Sequence, residues 1–225
     1  VLSAAMNIYK IETDLNNPDF QYRLKAITAL KDYTPEIAVP LLTSKLHDSE
    51  FLVRSFVAMG LGKQQTAESF AALLELMKFD NTPNVRAEAA SSLSLFGKVA
   101  ASHLVSTFFQ DDHWLVRRSI LAVLVDLDCP GELFEVCIEA LAGEDSSVQA
   151  DAIDALGKFA FTNQQELALS QLLRLIACDS KQIRIHLAHA LKQFDDPQAK
   201  EALRQLRQDS DHQVVAAALE NLLEP

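Results

Sequence analysis

A β-branched or aromatic residue followed by Arg, or by a residue standing in for it, returns about every 32 residues along this 225-residue chain. The pairs are Tyr22-Arg23, Val53-Arg54, Val85-Arg86, Val116-Arg117, Val148-Gln149, Ile183-Arg184 and Val214-Val215. Successive anchors lie 31, 32, 31, 32, 35 and 31 residues apart, so seven units account for the whole chain. A repeat of this length is one supersecondary unit that cannot bury its apolar face alone and must stack on its neighbours.

The columns around the anchor show what each unit buries. Seven places after it stand Leu30, Leu61, Leu93, Leu124, Leu156, Leu191 and Leu222. Three places after it stand Ala26, Val57, Ala89, Ile120, Ala152, Leu187 and Ala218, and the fourth place is apolar in every unit as well. Apolar residues at −1, 3, 4 and 7 share one face of an α-helix and do not alternate as a strand would. Ahead of each such helix comes a polar turn, from Asn17-Pro18-Asp19 to Asp209-Ser210-Asp211, whose side chains cap helix starts. A second apolar-periodic segment precedes the turn, most clearly at 37–46, 67–77, 133–141 and 167–176.

Each unit therefore reads as an αα-hairpin of an A helix and a B helix. The expected fold is all-α, a right-handed α-solenoid of HEAT-like hairpins in one domain, with repeats at 6–33, 34–65, 66–97, 98–128, 129–161, 162–195 and 196–225. Small residues at Ala26, Ala58, Ala89, Ala90, Ala152 and Ala188 let neighbouring B helices approach closely. The anchor arginines, beside Asp19, Asp48, Asp80, Asp112 and Asp179, read as a structural ladder of charge-assisted hydrogen bonds.

Composition narrows the function. With 20 Lys+Arg against 31 Asp+Glu, a formal charge of −11 opposes nucleic acid as a partner, because phosphate neutralisation supplies most of that affinity. Six Gly and seven Pro leave little for glycine-rich phosphate loops or turn-dense β folds. No run of 18 uncharged apolar residues occurs, so no transmembrane segment is expected. Cys129, Cys137 and Cys178 form neither a disulfide framework nor a metal signature. A start at Val1, with Met6 close behind, fits five added residues or a longer parent chain.

The repeats resemble the HEAT-like units of the phycobilisome lyase type, which read roughly D-x-x-x-V-R-x-x-A-x-x-A-L-G. The matching stretches are DNTPNVRAEAASSLSLFGK (80–98), DDHWLVRRSILAVLVDL (111–127), EDSSVQADAIDALGKF (144–159) and DSKQIRIHLAHALKQF (179–194). The likeness covers essentially the whole chain, and 50–81 in particular resembles the NblB-type phycobilisome degradation proteins of cyanobacteria. Gln149 and Val215 depart from the motif's Arg. The resemblance implies a phycobiliprotein or another phycobilisome component as partner, with a second HEAT subunit as a further one. It implies phycocyanobilin, a linear tetrapyrrole, as substrate or ligand, with no prosthetic group. It also implies a cytoplasmic protein, brought to the cytosolic face of thylakoids through phycobilisomes. Bilin detachment or transfer and a role in disassembly both stay open, as does the alternative of a non-enzymatic adaptor.

Candidate recognition residues come from the polar column of the B helices, which line the concave side of such a solenoid. The expected groove comprises Phe56, Met59, Glu88, Arg118, Asp151, Asp154, His186 and His189. Phe56 and Met59 offer apolar contact to an amphipathic helix or a conjugated ligand, or else pack against the next helix. His186 and His189 are spaced to exchange protons or share a metal, but no third ligand is set, so no metal site is assigned. Asp151 and Asp154 pair on one face, and a carboxylate there suits a protonated pyrrole while Arg118 suits a propionate.

A protein-binding edge is expected at Trp114, Glu132, Glu135 and Glu139. Residues 119–157 hold nine acids and neither Lys nor Arg, and the three glutamates form a stripe opposite Cys137 that can steer a basic partner or simply solubilise the surface. Trp114 stands at the turn offset also held by Phe20 and Phe51, where an aromatic anchors a partner or closes a seam. Cys137 lies in an apolar stripe and reads as buried, whereas Cys178 ends an A helix and Cys129 follows Asp128 at a turn, places that allow either to be more exposed. Catalytic residues stay unassigned.

Overall fold

The computed structural model describes residues 7–220, and among them the chain forms fourteen α-helices with no strand. They alternate as expected. The A helices are α1 (Ile8–Leu15), α3 (Pro35–Thr43), α5 (Ala67–Phe79), α7 (Ala101–Gln110), α9 (Pro130–Ala142), α11 (Gln165–Leu173) and α13 (Pro197–Leu206). The B helices are α2 (Phe20–Ala29), α4 (Phe51–Gln64), α6 (Pro83–Leu93), α8 (Trp114–Asp126), α10 (Ser146–Gly157), α12 (Lys181–Leu191) and α14 (His212–Leu219). Seven hairpins result. They form two compact units, one ending at Asp128 with four hairpins and one beginning at Cys129 with three.

Helix boundaries follow the turn chemistry. Asp19, Asp145, Ser180 and Asp211 each accept a hydrogen bond from the first turn of the B helix that follows, and Thr66 and Asp196 do the same for α5 and α13. Pro35, Pro83, Pro130 and Pro197 open their helices, where a missing N–H costs nothing. Short 3₁₀ turns extend three B helices, at Leu30–Asp32, Ser94–Ala100 and Lys158–Phe161. In the second of these Gly97 takes φ +73°, a conformation that a Cβ would strain.

In both units the core lies between hairpins. Leu30, Leu61, Leu93, Leu124, Leu156 and Leu191 are all fully buried, as are Ala26, Ala58, Ala89, Ala90, Ala152 and Ala188. Leu222 lies outside the described residues. Two glycines mark the tightest contacts between B helices. A Cβ on Gly62 of α4 would come within 2.9 Å of Ser92 Cβ on α6, and one on Gly157 of α10 within 3.2 Å of Ala190 Cα on α12. Tyr22 departs from its column: the other anchor partners are buried, while its ring stays at the surface with Lys25 Nζ 5.4 Å from the centroid.

The arginine ladder exists, with different rungs from those expected. Four of the five anchor guanidinia reach the carboxylate of the next repeat's turn, so Arg23 pairs with Asp48, Arg54 with Asp80, Arg86 with Asp111 and Arg184 with Asp209, at 2.6 to 2.9 Å from Nε, whereas Arg117, with Gly143 at that place in the next turn, gives Nε to the Asp111 carbonyl of its own turn at 2.7 Å. To its own turn each gives only backbone bonds, as from Arg54 Nη1 to the Asp48 carbonyl at 2.7 Å. Asp19 is used as the cap of α2, and Asp112 and Asp179 are exposed. The hairpin offset puts the neighbour's carboxylate within reach of the fork. The readable signal is the column six places before the anchor, Asn17, Asp48, Asp80, Asp111, Gly143, Cys178 and Asp209.

Candidate functional site

Positions two, five and nine after the anchor leave the B helices on the side away from the core. Lys25, Thr28, Met59, Ser91, Ala122, Asp154 and Glu220 are exposed, and Phe56, Glu88, Ser119, Asp151, His186 and His189 are half-buried. Ala217 alone of these described columns is buried, and Glu224 lies outside the described residues. Two contacts across repeats run from the fifth place of one B helix to the second place of the next, Ser91 to Ser119 and Asp154 to His186, while His189 and Glu220 meet fifth place to fifth.

In the first unit, Ser91 Oγ lies 2.8 Å from Ser119 Oγ, and the Ser119 hydroxyl also lies 2.9 Å from the Ala87 carbonyl. Thr28 and Phe56 line one recess of about 730 Å³ together with Phe20, Leu24 and Lys25. Met59 is 41% exposed. Burial pushes the Glu88 carboxyl up from its ordinary value, against an opposing hydrogen bond with Ser92. Arg118 stands exposed on α8, one place beyond its anchor.

The second unit carries the polar part. His186 Nδ1 lies 2.9 and 3.0 Å from the two carboxylate oxygens of Asp154, across α10 and α12. Its other nitrogen meets Gln182 Nε2 at 3.1 Å. His189 Nδ1 is 3.2 Å from Glu220 Oε2, which also accepts Lys192 Nζ at 3.0 Å. The Lys192 ammonium, first by hydrogen bond and then by charge, holds the Glu220 carboxyl below its usual value, with a smaller contribution from His189. Two sequence expectations thus take another form. Asp151 and Asp154 share α10, but Asp154 spends its carboxylate on His186, and the two histidines turn to separate acids.

That division follows from reach. Residues three apart on one helix diverge by about 60° around its axis, whereas residues 32 apart meet where neighbouring B helices pack. Among the described residues no three His, Cys, Asp or Glu side chains converge as metal ligands would. The carboxylate on Nδ1 and the Gln182 amide on Nε2 together fix the orientation of the His186 ring. Lys158, Gln193, His189 and Asp154 border a recess of about 340 Å³ beside this pair.

The expected edge residues are all at the surface to some degree. Trp114 is 44% exposed at the first position of α8, stacked on His113 with ring centroids 5.9 Å apart. His113 in turn caps α8 through Nδ1, accepting the Leu115 N–H at 3.2 Å. On α9, Glu135 is exposed while Glu132 and Glu139 are half-buried, and Leu133, Val136, Cys137 and Ala140 face the core. Burial pushes the Cys137 thiol up to about 12. Of the two cysteines at element ends, Cys129 is buried at the N-cap of α9. Cys178 is half-buried.

The HEAT-repeat family profile matches residues 12–94, 39–125 and 134–224. Among solved structures, the Escherichia coli protein YibA aligns at 15% identity with a TM-score of 0.60, over 98% of this chain and 93% of that one. The complex of CpcE and CpcF of phycocyanin lyase from a Nostoc species aligns at 18% identity with a TM-score of 0.54, over 99% of this chain and 97% of that one. At these identities the likeness shows the fold. No curated protein sequence matches the chain.

Proposed function

As the chain belongs to the HEAT-repeat family, we propose that it is a phycobiliprotein-binding scaffold related to the bilin lyases, acting in phycobilisome disassembly in the manner of the NblB-type proteins. The observation that carries this reading is the outward B-helix face of each unit, where side chains of successive repeats come together, Thr28 with Phe56 in the first unit and Asp154 with His186 in the second. Such faces bind extended partners without needing a deep pocket. The motif resemblance over the chain supports the choice of partner, and so does the full-length likeness to the lyase complex.

On this reading Arg118, on the first unit, meets a carboxylate of the partner or a bilin propionate, as a guanidinium does best. Asp151, on the second unit, offers a carboxylate to a protonated pyrrole system. His186, held between Asp154 and Gln182, gives the face an ordered imidazole edge. A second HEAT subunit completes the assembly, with contacts offered separately by Trp114 on the first unit and by the acidic strip of Glu132, Glu135 and Glu139 on the second.

The test is incubation of the full chain with chromophorylated phycocyanin, following complex formation by gel filtration and protein-bound bilin by absorbance. Complex formation that weakens in separate Arg118→Ala and Asp151→Ala variants supports the reading. Loss of bound bilin above a protein-free control adds lyase-type chemistry, and a stable complex with the bilin retained identifies a holding factor. No complex with either holo- or apo-phycocyanin returns the chain to an adaptor for another assembly.

A further inference from the structure

Helix α2 carries two apolar stripes, and its core uses only one. Ala26, Ile27 and Leu30 are buried between hairpins. Phe20, Leu24 and Thr28, at four-residue steps, form a second stripe on the outward side, faced by Phe56 of α4. Together they bound the recess of about 730 Å³. The other recesses described, of about 400, 240 and 340 Å³, lie at the Arg54 and Arg86 ion pairs and beside Asp154.

The charged residues lining this recess are Lys25 and Lys31. Among the described residues no ion pair engages either ammonium, in a chain whose formal charge is −11. The nearby acids do not face in: Asp19 is occupied as the cap of α2, and Asp32 lies exposed beyond Lys31. Apolar walls with cations at the rim that no described carboxylate engages, Lys25 resting over the Tyr22 ring, complement an occupant that is apolar on one side and anionic along its flanks.

We propose that the Phe20–Leu24–Phe56 trough docks an amphipathic α-helix of a partner protein, its large apolar side chains seated against α2 and its flanking carboxylates met by Lys25 and Lys31. The shape favours a helix over a small anion. A small ligand is held by burying about 70–90% of its surface, which a trough open along its length does not do. The stripe from Phe20 to Thr28 rises about 12 Å, enough for two turns of a partner helix with anchors at i, i+4 and i+7. This inference rests on the B-helix face being the recognition surface, and names the chemistry of what lies on its first two repeats.

The probe is a fluorescein-labelled helical peptide with leucines at i, i+4 and i+7 flanked by glutamates, titrated with the full chain and read by anisotropy. The same peptide with lysines in place of glutamates is the control. Binding of the glutamate peptide should weaken at least about tenfold in Phe56→Ala. It should weaken with added salt, and reverse its preference toward the lysine peptide in Lys25→Glu/Lys31→Glu. The lysine changes are at the surface, so they keep the test open if Phe56→Ala perturbs the fold.

Equal affinity of the wild type for both peptides, or no binding up to about 1 mM, overturns the proposal. So does saturable binding of 8-anilinonaphthalene-1-sulfonate at the trough without peptide binding, which would assign it to small amphipathic anions. Failure of the peptide while phycocyanin still binds removes this inference and leaves the proposed function. Failure of phycocyanin while the peptide binds does the reverse.

Discussion

Arg54 holds the carboxylate of Asp80 in the next repeat's turn, with Nε 2.6 Å from Oδ2 and Nη2 3.0 Å from Oδ1, while the same Oδ1 accepts the Thr82 N–H at 2.8 Å. One carboxylate therefore orders the turn before α6 and fastens it to α4. Both side chains are nearly buried, at 10% and 5% exposure. Asp111 with Arg86 and Asp209 with Arg184 repeat the arrangement, down to the turn N–H received by each.

Removing one partner of such a pair leaves the other buried without compensation. Arg54→Ala should lower the unfolding free energy by about 3–5 kcal/mol in urea titrations. Arg54→Lys should recover only part of it, because an ammonium lacks the fork that spans Asp80 and the Asp48 carbonyl together. A Lys variant as stable as the wild type would contradict the ladder.

The Arg184 guanidinium, chiefly by hydrogen bonding and with help from the Asp211 N–H, holds the Asp209 carboxyl below its ordinary value of 3.8. A carboxyl depressed on folding contributes stability that is complete above the unfolded pKa and is lost as the pH falls through the folded one. The stability gap between wild type and Arg184→Gln should be widest near neutrality and close as the pH drops below about 3.8. A gap that stays constant to pH 2 would assign the effect of the substitution to packing instead.

Two rungs of the ladder are missing, at Gly143 and at Cys178, and the second can be rebuilt. Gln149 keeps the backbone half, donating Nε2 to the Gly143 carbonyl at 2.7 Å, but the turn of the next repeat offers Cys178 where the four paired turns have Asp. Gln149→Arg alone should be neutral or destabilising, as should Cys178→Asp. Together they should show a favourable coupling of about 0.5–3 kcal/mol in a double-mutant cycle. Strict additivity would show that the fork does not reach at this junction.

Thiol accessibility separates the three cysteines. Cys137 is fully buried with its thiol pushed up to about 12, and Cys129 is buried as well. At pH 8 a disulfide reagent should modify Cys178 first, and the other two only at the rate of opening or after unfolding in denaturant. Rapid reaction of Cys137 in the folded protein would show that α9 is not packed as described.

Much of this molecule is legible in the spacing of its residues. The leucine column marks the buried face of each B helix, and the polar turns mark where those helices begin. The second and fifth places after the anchor mark the outward face on which Phe56, Met59, Asp154 and His186 lie. These assignments work because a helix turns by a constant angle per residue, so position in the chain gives position around the axis. The partner of each outward or turn residue is another matter. Asp154 meets His186, and Arg54 meets Asp80 in place of the acid in its own turn. Cys129 is covered although it stands at a helix start.

The chain alone thus determined the number of hairpins, the face each one buries and the face it shows, since these depend on local periodicity and capping. Tertiary structure decided which side chains meet between hairpins. How far one hairpin slides along the next depends on the fit of side chains at the contact, such as Gly62 against Ser92 and Gly157 against Ala190. A slide of a single turn, about 5.4 Å, would give every carboxylate a different guanidinium or imidazole.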